Sequence, residues 1–107
     1  MIDRVSLLQR CGDDRELLRE LLEDFLSRCD SELESLTLED KNLHRRAHRL
    51  KGLALNLSMP EVEARAARVE RSARERSVGE VELRALRKSL QTACESARAI
   101  LQEEENA

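Results

Sequence analysis

The sequence holds two histidines, His44 and His48, four residues apart. They lie in a stretch, residues 41–60, that carries Lys41, Arg45, Arg46, Arg49 and Lys51 and no acid at all. A neutral imidazole keeps a lone pair on one ring nitrogen, and that lone pair can attack an activated phosphoryl group. The resulting P–N bond stays reactive enough to pass the group onward, and the outer nitrogen, Nε2, is the expected nucleophile.

The helical arrangement of this stretch makes His48 the candidate. Leu43, Ala47, Leu50, Ala54 and Leu57 recur at spacings of four, three, four and three, which predicts a helix with one buried stripe. At about 100° per residue, that stripe centres about 140° away from His48, so the imidazole points to solvent. Gly52 lies about 40° to one side and Lys51 about 60° to the other. His44, Arg45, Arg49, Leu55 and Asn56 complete the same outward face.

A glycine inside an exposed helical stretch costs about 0.5–1 kcal/mol relative to alanine. Gly52 faces away from the core, so close helix packing does not explain it, whereas a space for a molecule approaching His48 does. Lys51, three residues on from His48, is placed to bring an ammonium to a group attached to the ring. By itself it would read as a solvated surface lysine.

The elements that must position this face are four long helices. Asp13 with Glu16 makes a capping box for the first, whose stripe runs Leu17, Leu18, Leu21, Leu22, Phe25, Leu26, Cys29, Leu33 and Leu36. Thr37 with Asp40 marks the start of the histidine helix. Pro60, framed by Ser58 and Glu61, opens the third, with a small apolar face of Val62, Ala66, Val69 and Ala73. Ser77 with Glu80 opens the last, with a stripe from Val81 through Leu86 and Leu90 to Ile100 and Leu101. A short helical turn around Val5 to Leu8 precedes them, and the acidic stretch from Glu103 to Ala107 lacks an apolar anchor and should fray. Short connections favour an all-α, antiparallel, up-down-up-down four-helix bundle with a short extra N-terminal helix.

Composition narrows the chemistry. A chain of 107 residues is read as one domain, residues 1–107. Phe25 is its sole aromatic residue, which removes base-stacking platforms and aromatic cages. The net charge of −3 is uneven: residues 1–40 carry 5 Lys/Arg against 12 Asp/Glu, and residues 41–107 carry 14 against 10. Net acidity, missing aromatics and no helix-turn-helix argue against nucleic acid as a partner. The apolar runs are too short to span a membrane, and Asp3 and Arg4 interrupt any leader-like stretch, so a cytoplasmic location is expected. Cys11, Cys29 and Cys94 are odd in number and widely spaced, and read as three free, packed thiols. His44 and His48 at i, i+4 could share a metal, but the basic surroundings and the lack of a Cys or carboxylate within a turn of the helix argue against one. No metal and no intrinsic cofactor is expected. There is no Gly-rich nucleotide loop and no acidic cluster for Mg²⁺, which excludes autonomous kinase activity.

The run Ala47-His48-Arg49-Leu50-Lys51-Gly52, continuing Leu53-Ala54-Leu55-Asn56-Leu57, resembles the signature of the histidine-containing phosphotransfer (HPt) domain family, His-x-Leu-Lys-Gly followed by small or apolar residues. The resemblance extends over most of the chain. It implies a helical bundle that takes a phosphoryl group on His48 from a receiver-domain aspartate and hands it to another. Lys51 and Gly52 match the family's supporting positions, and Asn56 falls where the family often has a polar residue. The family usually has Gly where this chain has Ser58, and often Ser or Ala where it has Leu53. The implied partners are response-regulator receiver domains and a hybrid sensor histidine kinase, met by a monomer, with the receiver supplying Mg²⁺. His44, Arg45, Arg49, Leu55 and Asn56 are the expected docking residues, their charge steering toward an acidic receiver pocket. The competing expectation is a helical adaptor that docks a signalling partner through the same basic face without chemistry; acid-labile phosphate on His48 separates the two.

Overall fold

In the computed structural model, which describes residues 1–106, five helices follow one another: α1 (Arg4–Arg10), α2 (Arg15–Ser35), α3 (Leu43–Asn56), α4 (Pro60–Arg74) and α5 (Glu80–Glu105). The start of α2 lies one residue beyond the expected cap. Asp14, not Asp13, is the N-cap, accepting from the backbone N–H groups of Glu16 and Leu17 at 3.0 and 3.1 Å. Residues 37–42 form turns rather than the first turn of α3. Asp40 is held there by the Asn42 N–H and by Arg46, and so cannot serve as a helix cap.

Three helices stop in the same way, with a left-handed residue just past the C-cap. These residues are Gly12 after α1, Ser58 after α3 and Arg76 after α4, with φ of 65°, 56° and 56°. After α3, the Met59 N–H returns to the Ala54 carbonyl at 2.8 Å, and Pro60 then starts α4. This tight reversal lays α4 back along α3.

Every long neighbour pair is antiparallel. Along α2 and α5, Arg15 pairs with Glu104, Cys29 with Cys94, and Leu36 lies beside Leu83. Across α3 and α4, His48 and Lys51 both meet Glu70. The seam between α4 and α5 includes a Ser72–Glu82 hydrogen bond. The core runs through the bundle: Leu18, Leu22 and Phe25 of α2 join Ala47, Leu50 and Ala54 of α3, Val62, Ala66 and Val69 of α4, and Leu86, Leu90 and Ala97 of α5. Leu7 anchors α1 to this core. This is the expected up-down-up-down bundle with an additional short helix.

Three expectations are corrected. Val81, assigned to the α5 stripe, is 80% exposed although Leu83 in the same turn is buried, because Val81 lies about 160° round the helix from Leu83. The acidic tail does not fray over residues 103–105. There α5 continues, with the Glu104 side chain only 1% exposed between Arg4 and Arg15, each at 2.9 Å; Ala107 lies outside the described residues. Ion pairing replaces the missing apolar anchor. Finally, Cys29 and Cys94 are disulfide-bonded, with Cα atoms 6.6 Å apart, and Cys11 alone is a free thiol. The pairing depends on how α2 and α5 pack, which spacing along the chain does not carry.

Candidate functional site

α3 presents His48 outward, as its periodicity predicts, with the side chain 64% exposed. The ring is nevertheless not free on both sides. Its Nδ1 lies 2.9 Å from Oε2 of Glu70 on α4, a carboxylate whose side chain is only 7% exposed. Glu70 also receives Lys51 Nζ on Oε1 at 2.8 Å and Arg74 on Oε2 at 3.1 Å. A buried carboxylate with these three partners is satisfied as an anion. Its carboxyl titrates below the ordinary glutamate value, chiefly because Lys51 donates to it and then because His48 does, with burial opposing.

This contact decides the chemistry of the ring. A carboxylate can only accept, so in the neutral imidazole the proton sits on Nδ1 and the lone pair is left on Nε2. Nε2 has no hydrogen-bond partner among the described residues. An aspartate in the serine-protease triad fixes its histidine by the same rule.

Lys51 is not extended toward open solvent beside the ring. One N–H of its ammonium is committed to Glu70, which leaves two donors uncommitted. At Gly52 a Cβ would meet no heavy atom within 4 Å among the described residues, so the helix surface next to His48 is bare. Leu55, 47% exposed, and Asn56 continue this face toward the end of α3. Arg45 is exposed and Arg49 leans toward Glu32 of α2 at 3.7 Å. His44 is half-buried one turn before His48 and lines a separate cleft.

Glu70 is the residue that reading along α3 missed, since no carboxylate occurs within a turn of His48 on its own helix. A signal existed on α4. Glu70 is four residues after Ala66 and three before Ala73, which puts an acid at the edge of that helix's buried face. A buried acid needs a cationic or hydrogen-bonding neighbour, and the acid-free stretch 41–60 was the available source.

A family model described as Hpt domain matches residues 7–103. The chain belongs to this family. The matched span contains α2 to α4 entirely and most of α1 and α5, so it includes every element that builds the histidine face. No curated protein and no solved structure matches the chain. Hpt domains are histidine phosphocarriers of phosphorelays rather than kinases. In this Hpt domain, no helix among the described residues is long and apolar enough to cross a membrane.

Proposed function

We propose that this protein is a relay carrier that accepts a phosphoryl group on Nε2 of His48 from a receiver-domain aspartate and passes it to a second receiver. The observation that carries the reading is the His48–Glu70 contact, which directs the lone pair outward beside the bare surface of Gly52. In the forward step Nε2 attacks phosphorus, and the bond from phosphorus to the aspartyl oxygen breaks. Its electron pair leaves with the aspartate carboxylate. Nδ1 keeps its proton, so the phosphorylated ring is a cation facing the Glu70 carboxylate. Lys51 offers its remaining N–H groups to the phosphoryl oxygens. Transfer to the next aspartate is the reverse step on a different partner.

The receiver brings the Mg²⁺ and the acidic pocket, and this chain brings the nucleophile and a docking face formed by Arg45, Arg49, Leu55 and Asn56. A hybrid sensor kinase upstream and a monomeric carrier complete the proposal. The test is incubation with a phosphorylated receiver. Label stable in alkali and lost in acid is expected on the wild type and absent from His48→Gln, whose helical circular dichroism stays unchanged. Label that persists in His48→Gln overturns His48 as the acceptor and moves it to His44 or elsewhere, whereas receiver binding with no label on the wild type overturns the relay and leaves the adaptor.

A further inference from the structure

Beside the histidine face lies a cleft of about 600 Å³, formed where the chain entering α3 meets the end of α4 and the turn into α5. Its apolar surface comes from Leu38, Leu43, Ala73 and Val78. Lys41, His44, Arg74 and Arg76 stand around it. The one acid in its wall, Asp40, is already engaged by Arg46 and the Asn42 N–H, and titrates below its usual value, chiefly because of the Asn42 N–H. Arg74 is engaged by Glu70. Among the described residues, Lys41 and Arg76 have no ion-pair partner. The cleft therefore carries positive charge that this chain does not neutralise, next to apolar surface that it does not cover.

The cleft adjoins the histidine site. His44 is one turn before His48 on α3, and Arg74 lines both this cleft and the groove holding His48, Lys51 and Glu70. The two depressions are close enough for one partner surface to reach both. The geometry points to a second docking site: the cleft receives an acidic segment of the receiver partner, bearing one apolar side chain, and Lys41 and Arg76 select that partner. An occupant with this chemistry complements both the uncompensated cations and the apolar floor, and charge complementarity of this kind governs encounter rate and partner choice. This inference rests on the relay reading for the identity of the partner, and places part of the recognition outside the His-x-Leu-Lys-Gly run.

The test compares the wild type with a Lys41→Glu, Arg76→Glu double variant, and with the milder Lys41→Gln, Arg76→Gln pair, in three measurements. Labelling of His48 by phosphoramidate, a small donor that needs no docking, is expected to be unchanged in both variants. For transfer from a phosphorylated receiver, the half-saturating receiver concentration should rise about tenfold or more in the charge-reversed variant and less in the neutral one, with the maximal rate preserved. Added salt should raise that concentration for the wild type and less for the neutral pair, in which only the screening of Arg45, Arg49 and their neighbours remains. An unchanged half-saturating concentration alongside normal His48 labelling overturns the cleft and leaves the relay reading standing. Conversely, receiver binding that is lost in the double variant while no receiver labels wild-type His48 supports the cleft and overturns the relay. Single-stranded oligonucleotide binding that depends on Lys41 and Arg76, with receiver transfer unaffected, assigns the cleft to a different partner and overturns the inference.

Discussion

Nδ1 of His48 and Oε2 of Glu70 face each other at 2.9 Å across the α3–α4 seam, 22 residues apart in the chain. An imidazole that is mostly exposed is thereby held by a carboxylate that is almost fully buried. Burial fixes the position of Glu70, and Glu70 fixes the orientation and proton arrangement of the ring.

Removing that acceptor should cost transfer rate rather than fold. A hydrogen bond to a charged group contributes about 1.5–3 kcal/mol. Expressed wholly in the transition state, this is a loss of roughly 10- to 150-fold. Glu70→Ala is expected to slow phosphotransfer within that range, and Glu70→Gln less, because one amide oxygen can still accept from Nδ1. Nitrogen-15 spectra of His48 should show the Nε2–H tautomer gaining population in Glu70→Ala. A purely structural role for Glu70 would leave that tautomer ratio unmoved.

Ser58 occupies a backbone conformation that suits glycine. With φ of 56°, it pays the left-handed penalty of about 1–2 kcal/mol that glycine avoids. Its hydroxyl donates to Ser6 Oγ at 3.1 Å, which offsets part of that penalty. Ser58→Gly should therefore stabilise the protein by about 0.5–1 kcal/mol and raise Tm by a few degrees. Equilibrium urea unfolding measures it.

Acid should loosen the far end of the bundle through Glu104. Its carboxyl titrates below the ordinary value, first because Arg4 donates to it and then because Arg15 does, with burial opposing. A depressed pKa gives stability that is present above the unfolded value, about 4.3, and is lost as pH falls through the lower folded value. The Tm difference between wild type and Glu104→Gln should accordingly be positive at neutral pH and shrink below about pH 4. Amide protection in residues 100–105, measured against the intrinsic exchange rate at each pH, should fall over the same interval.

Local periodicity was enough to determine four long amphipathic helices, the short helix before them, and the face on which His48, Lys51 and Gly52 stand. Each of these follows from 3.6 residues per turn and the placement of leucine and alanine. The run around His48 also sufficed to identify the phosphocarrier family. Helix ends were legible only to within a few residues, because Asp40 was engaged in a turn and Ser58 and Arg76 took a conformation that side-chain type does not announce. What tertiary structure alone decided were the pairings between distant elements: Glu70 with His48, Cys29 with Cys94, and Glu104 with Arg4 and Arg15. The period of a helix states which side is buried but not which turn of a neighbour it will meet. That register emerges only when four helices are packed against one core, and here it determines which nitrogen of His48 meets a carboxylate and which keeps the lone pair.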